Sequence, residues 1–510
     1  MLSVAEKSRL SPDLRRSART LAAVKNSRSS STKSLTLTAM SLGYAVVQLD
    51  ITVVNTALSS IGRSLHGGVS ELQFVVTAYT IAFAALILTA GAFGDRFGAK
   101  KIFMAGFTVF TAASLACALA PSSTILIVAR AVQGAGAAIL VPNSLALLNH
   151  AYPDGRQRTR AVGVWAAGAS LALTAGPLAG GGLIALVGWR SIFLINLPVG
   201  LAGLWLTWRW AEETTPSPHR ELDPLGQAAA TGALGCLAAS IIECGVSGWN
   251  NPWVLAGFAA AVALGALFLF QERRSRQPML PLVLFKHRLF SLMSLVGVLV
   301  NVPFYGLIFV LSLYFQQVNG FSPLTTGLAF LPLMGAVFVA NLLAARAAQR
   351  FDALLVITAG ASIVATGCIA LIGIDRGLAY WAMSGQLIAM GTGLGLLVPP
   401  LTSTLLGSVD KTRSALAAGV LNSARQTGSV LGVALFGSLV GRANAFIPGT
   451  REALVISAAL LLGAAIATTV GGRSCRALVH IGGEGRLALN PPPTYLRFAV
   501  AKRVLPGRKP

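Results

Sequence analysis

Asp50 stands in QLDITVVNTAL with apolar neighbours on both sides, inside a run long enough to cross a bilayer. A charged acid at mid-depth of such a run costs at least about 2.5 kcal/mol to insert, so it is expected to face a cavity or a partner. Burial disfavours the charged form of a carboxyl and so brings protonation toward neutral pH, which is what a proton-coupled site requires. The competing reading is a pairing or capping acid with no part in transport. Arg130, in ARAVQGAGAAILVPN, carries Gln133 and Gly134 three and four residues on, on the same helix face. A guanidinium that never loses its charge can tune a nearby acid or bind a substrate; the alternative is that Arg130 snorkels to the outer interface.

Two more charges interrupt apolar runs. Glu243 precedes GVSGW, and Arg425 lies in NSARQTGSVLG with Gly428, Ser429 and Gly432 on its face. Each is a candidate for proton coupling or substrate contact. The alternatives are that Glu243 lies at the outer interface and that Arg425 pairs with an acid at the inner end. GAFGDRFGAKK, residues 91–101, is a charged turn: Asp95 ends one helix, where the helix dipole disfavours an acid, with Arg96, Lys100 and Lys101 as its compensating cations, and Gly98 permits the tight bend. By itself it is equally a solvated loop. Gly168, Ala172, Gly176 and Gly180 form a stripe of small residues beside Pro177, which frees the carbonyl of Leu173. Such a face suits two helices that pack closely, whether or not they rock.

No phosphate-binding loop, histidine cluster, paired metal spacing or nucleophile elbow occurs, so the chain is not expected to be an enzyme and no cofactor is expected. The five cysteines are scattered and show no paired framework.

The elements that must hold these residues are membrane helices. Of the 510 residues, 54% are apolar and 11% charged, against about 25% charged in soluble domains. Apolar runs of about 18 to 25 residues predict about fourteen spans, near 35–57, 71–93, 101–119, 123–148, 159–184, 189–209, 225–246, 252–270, 289–315, 326–345, 353–373, 378–405, 415–440 and 453–471. The net charge of +23 is not the mark of a nucleic-acid partner, because Lys and Arg cluster between the runs and at the two ends. Arg96/Lys100/Lys101, Arg156/Arg158/Arg160, Arg273/Arg274/Arg276, Arg346/Arg350, Lys411/Arg413 and both tails share one side of this plan. The other side holds few: Arg63, Arg190, Arg376, Arg442 and Arg451. The positive-inside rule then predicts a multi-pass protein of the cell (inner) membrane with both termini cytoplasmic.

These motifs resemble the major facilitator superfamily, and within it the fourteen-spanner drug:proton antiporters (EmrB/QacA type). LDITVVNTAL resembles the family's first-helix motif, with Ser59 where Pro is usual. GAFGDRFGAKK is similar to the signature of the loop between helices two and three, with Gly91, Asp95, Arg96 and Gly98 in place and Ala99 at a position often basic. RAVQGAGAA is similar to the fourth-helix motif and TAGPLAGGGL to the antiporter motif of helix five, with Gly176, Pro177 and Gly180. GWRSIFLINLPVG at 188–200, LYFQQVNGFSPLTTGLAFLP at 313–332 and LNSARQTGSVLG at 421–432 also match, whereas AARAAQRFD at 344–352 is a degenerate second copy of the loop signature.

The resemblance implies an all-α fold of two six-helix bundles, 35–210 and 289–471, with two inserted helices at 225–270. A basic tail at 1–34, an interfacial linker at 271–288 and a second basic tail at 472–510, disordered or bound to the membrane surface, complete the plan. It further implies alternating access, a cytoplasmic charge latch containing Asp95, and a role for Asp50 and Arg130 in proton coupling or substrate contact. The expected function is proton-coupled antiport that exports drugs and toxic amphipathic compounds. The expected partners are a small-molecule substrate, protons and the lipid bilayer, with a periplasmic accessory protein left open. The alternative is a dedicated exporter of one endogenous metabolite, such as an antibiotic, siderophore or amino acid. Uptake, and a non-transporting receptor or scaffold, are disfavoured by the helix-five motif and by the buried charges respectively.

Overall fold

The computed structural model describes residues 12–217, 223–275, 278, 280, 282–375, 379–409, 414–441 and 446–481. Arg276, Arg376, Lys411, Arg413 and Arg442, used above to orient the loops, lie outside the described residues, as do both ends of the chain. In hydrocarbon every backbone N–H and C=O must find its partner within the segment, and the described chain answers with helices throughout. Thirteen are long and apolar enough to cross a membrane: α1 Ser31–Leu65, α2 Val69–Phe97, α3 Ala99–Leu119, α4 Ser123–Ala151, α5 Arg160–Val187, α6 Ser191–Trp210, α7 Pro224–Ser247 and α8 Pro252–Arg274 come first. Then follow α9 Arg288–Val318, α10 Pro323–Arg350, α11 Ala353–Ala370, α12 Tyr380–Gly407 and, after a gap filled below, Phe446–Gly471. The gap is occupied by α13, Ser414–Val440, whose Asn422, Ser423, Arg425, Gln426 and Thr427 lower its apolar character; Phe446–Gly471 is then α14. The fold is therefore an all-helical membrane bundle with the span number expected.

The ends differ from the expected ones by several residues, because a helix continues past the hydrocarbon as long as its backbone stays paired. α1 belongs to a longer helix that begins at Pro12, and the last helix runs on to Ile481, so the described parts of both tails are helical. α14 starts seven residues before the apolar run does, with Pro448 in its first turn, where a missing N–H costs nothing. Helix starts are capped from the side chain: Ser122 by Ile125 N, Asp223 by Gly226 N, Ser322 by Thr325 N and Asp352 by Leu354 N each accept a first-turn N–H. In the linker, a turn of 3-10 helix at Leu282–Lys286 buries Leu284 and exposes Val283 and Phe285.

Packing repeats. The close pairs α1·α5, α2·α4, α3·α4, α1·α6 and α3·α6 recur as α9·α13, α10·α12, α11·α12, α9·α14 and α11·α14, eight helices later. The two halves meet along α2·α13 and α5·α10, a symmetric exchange, and more lightly along α1·α9. α7 lies on the outside against both α2 and α13, while α8 packs on α7 and buries almost none of its own span.

One end of the bundle carries the α2–α3 turn; here it is called the basic face, and its opposite the far face. The halves are closed on one another toward the far face. Ser312 Oγ donates to the carbonyl of Asn55 at 2.5 Å and Gln316 Nε2 to that of Thr56 at 3.1 Å, tying α9 to α1. Gln73 Nε2 donates to the carbonyls of Val433 and Ala434 at 3.1 and 2.8 Å, tying α2 to α13. Gly181 and Gly327 complete the seal: a Cβ on either would run into the backbone of the facing helix, α10 and α5 respectively.

Candidate functional site

Small residues bring the charged helices together. A Cβ at Gly134 would strike the carbonyl of Tyr79 on α2, and one at Gly136 the backbone of Phe110 on α3, so only the Gly-Ala-Gly spacing of α4 admits both neighbours. That approach seats Arg130, one turn earlier, fully inside the first half with 1% of its surface exposed. Its Nη1 donates to Asp50 Oδ2 at 2.5 Å and to Gln133 Oε1 at 2.7 Å, and its Nε to the carbonyl of Val75 at 3.2 Å. The guanidinium lies over the rings of Tyr79 and Phe193, 4.3 and 5.8 Å from their centroids.

Asp50 has no exposed surface, and its second oxygen is satisfied as fully as the first. Oδ1 accepts from Gln133 Nε2 at 2.9 Å and from Asn196 Nδ2 at 3.1 Å. Both amides also donate to Ser114 Oγ, at 2.8 and 3.3 Å, and Cys117 Sγ lies 3.6 Å from Gln133 Oε1. Four helices of the first half, α1, α3, α4 and α6, thus meet in one network around the carboxylate, α3 through Ser114 and the two amides. A buried pair is tolerated only when its remaining hydrogen-bonding capacity is filled, and these amides fill it. Asn196 reaches the pair because α6 is broken after Leu194 and restarts at that residue.

Between the halves and beside the pair is a small cavity lined by Asn55, Tyr79, Thr80, Arg130, Tyr305 and Ser429. Asn55 Oδ1, the Tyr79 hydroxyl and Ser429 Oγ are buried there without a hydrogen-bond partner in the protein. Groups of this kind in native structures call for a ligand, a water or a second conformation.

The remaining sequence candidates are distributed around this centre. Gly176 and Gly180 pack on Thr52, Val53 and Thr56 of α1, one turn from Asp50. Thr52 Oγ1 donates to the carbonyl of Leu173 at 3.1 Å, the same carbonyl that Pro177 leaves without its helical partner. At the basic face Gly98 turns the chain with φ of 101°, a conformation glycine reaches without strain. Gly91 faces Pro142 of α4, Asp95 is exposed, and the guanidinium of Arg96 stacks near Phe97. The backbone N–H groups of Lys100 and Lys101 donate to Glu213 at 2.8 and 3.2 Å, that of Ala99 to Thr214 Oγ1 at 2.9 Å, and that of Ser217 to the carbonyl of Asp95 at 2.7 Å. Glu213 therefore caps the start of α3, where the helix dipole favours an anion. Glu243 is exposed at the outer surface of α7 and accepts from Ser247, apart from the central site. Arg425 is half-buried in α13 and does not join the Asp50 network.

Sequence reading thus found three members of the network, Asp50, Arg130 and Gln133. It missed Asn196, Ser114, Tyr79 and Glu213. A lone Asn in the apolar stretch FLINLPVG was a usable signal for the first; Ser114 and Tyr79 offer none, being ordinary residues of membrane helices.

Helices that repeat by halves around a buried, paired charge define a polytopic membrane bundle of two related halves. Residues 40–433 match the family model of the Major Facilitator Superfamily, and the chain belongs to that family. It is 36% identical over 433 residues to the "Methylenomycin A resistance protein" of Bacillus subtilis (strain 168), spanning 84% of this chain and 92% of that one. It is 31% identical over 463 residues to the "Tetracenomycin C resistance and export protein" of Streptomyces glaucescens, spanning 88% and 85%. Among solved structures, a bacterial homolog of the human lysosomal transporter Spinster aligns with a TM-score of 0.60 over 87% of this chain and 97% of that one; at 18% identity this speaks for the fold alone.

Proposed function

We propose that this small-molecule exporter works by exchanging its substrate for protons across the cell membrane, by alternating access, with the basic face and both chain ends in the cytoplasm. The observation that carries the reading is the Asp50–Arg130 pair with its amide shell. Protonation of Asp50 removes the charge that holds Arg130, so the two protonation states favour different arrangements of α1 against α4. α1 is also the helix that α9 binds toward the far face through Ser312 and Gln316, which gives a proton at Asp50 a route to the contact between the halves. The positive loops on the side of the α2–α3 turn support the orientation.

The relatives named for resistance and export support outward transport of antibiotic-like compounds. Two of them carry the name of one antibiotic each, which supports a dedicated exporter as the second reading. The test is export from cells loaded with methylenomycin A, with and without a protonophore, comparing the native chain with Asp50→Asn. Gradient-dependent export that Asp50→Asn abolishes, while the variant still inserts in the membrane, supports the reading. Export that survives the protonophore removes the proton from it.

A further inference from the structure

The second half of the molecule is nearly free of charge within the membrane. Along α9 to α14 every Asp, Glu, Lys and Arg sits within about two turns of a helix end except one, Arg425. α13 runs from Ser414 to Val440, so Arg425 lies close to its midpoint. The half-exposed guanidinium at that depth must look into lipid or into the interior, and lipid is the costly choice. Its helix face settles the direction: Gly428 and Gly432, three and seven residues on, pack against the backbone of α9. Tyr305 of α9 lines the central cavity, as does Ser429, one turn along α13 from Arg425.

Charge in this interior does not balance. Asp50 is committed to Arg130, and Glu243 is exposed on the outside of α7. Among the described residues no hydrogen bond or ion pair reaches Arg425, and no other acid lies at mid-depth. An arginine retains its charge, so the space between the halves holds one positive charge that the protein leaves uncompensated. Around it stand groups with hydrogen-bonding capacity to spare: the Ser429 hydroxyl, Asn55 Oδ1 and Gln426 Oε1, all buried and unpartnered.

We infer that the exported substrate carries an anionic group, a carboxylate or an ionised phenol or enol, and that Arg425 binds it between the halves, with Ser429 contacting the polar part beside it. The inference deepens the export reading and rests on it. It also excludes permanent cations, which would meet an unpaired guanidinium and no free acid.

The test uses two planar aromatic probes of similar size and opposite charge, fluorescein and ethidium. Binding to the purified full chain in detergent is read by fluorescence polarisation, and transport in proteoliposomes under an imposed proton gradient. Fluorescein is expected to bind, Arg425→Gln to weaken it at least tenfold, Arg425→Lys to fall between, and Ser429→Ala to weaken it severalfold, each variant remaining monodisperse. Ethidium is expected not to bind. Ethidium binding as tight as that of fluorescein, fluorescein binding unchanged in Arg425→Gln, or binding of neither probe by folded protein overturns the inference. Gradient-driven ethidium transport leaves proton-coupled export standing and removes the anion site. Arg425-dependent fluorescein binding without gradient-driven movement does the reverse.

Discussion

Asp50 accepts from three side chains at once, and this number sets what substitution there does. Asp50→Asn keeps the shape and removes the charge, so gradient-driven export is expected to stop while the protein is still recovered from the membrane in native yield. Arg130→Met removes the other partner. It leaves a carboxylate buried without its cation, a loss of about 3–5 kcal/mol, and its melting midpoint in detergent should fall below that of the native chain, as should that of Asp50→Asn, which leaves Arg130 charged without its acid. The double variant Asp50→Asn with Arg130→Met should recover much of that loss, because the pair is then replaced by neutral groups. Asn196→Ala strips one donor from Asp50 Oδ1 and one from Ser114, with an expected destabilisation of about 1–3 kcal/mol. If Asn196→Ala melts like the native chain, its place in the network is not structural.

At the scale of elements, α5 is held to α1 by a feature that combines two sequences far apart. Pro177 leaves the Leu173 carbonyl unpaired in its own helix, and Thr52 supplies the missing donor. Thr52→Val, nearly equal in volume, should expose the deficit in a setting without water and lower stability by about 1–3 kcal/mol; Thr52→Ser should not. Gly176→Val and Gly180→Val are expected to abolish transport by forcing α5 off Thr52 and Val53, measured as loss of export at unchanged membrane yield. This element also shows how far the sequence could be read. The helices, the small stripe and the kink follow from composition and spacing along one chain segment. That Thr52 answers Pro177, or that Glu213 caps α3, depends on which helices become neighbours, and no local pattern encodes it. The same limit hid Asn196, whereas Asp50 and Arg130 declared themselves because charge within an apolar run is rare enough to need a partner.

The whole molecule is closed toward the far face, and this closure can be locked. A Cβ at Gly437 would touch the side chain of Gln73, so cysteines at Gln73 and Gly437, in a chain freed of its own cysteines, should form a disulfide that arrests export until a reductant is added. If the substrate is an anion, its exit against an entering proton moves two charges in the same electrical sense. A potential of 100 mV, negative inside, then contributes about 4.6 kcal/mol, twice the value for one charge. Proteoliposomes given a potential and no pH difference should still drive such export, whereas a cation exchanged one for one with a proton would not respond. α7 bears on how the halves move. Near the basic face its Gln227 donates to the carbonyl of Ala85 and is joined to Thr89 on α2, and near the far face Gly245 lies against Ser438 on α13. It crosses the α2–α13 seam on the diagonal, fastened to a different half at each end. If the halves move as proposed, a two-bodied machine braced in this way would work less like a pair of free jaws than like a door, with its hinge along the braced edge and its swing concentrated at the opposite one, where α5 meets α10.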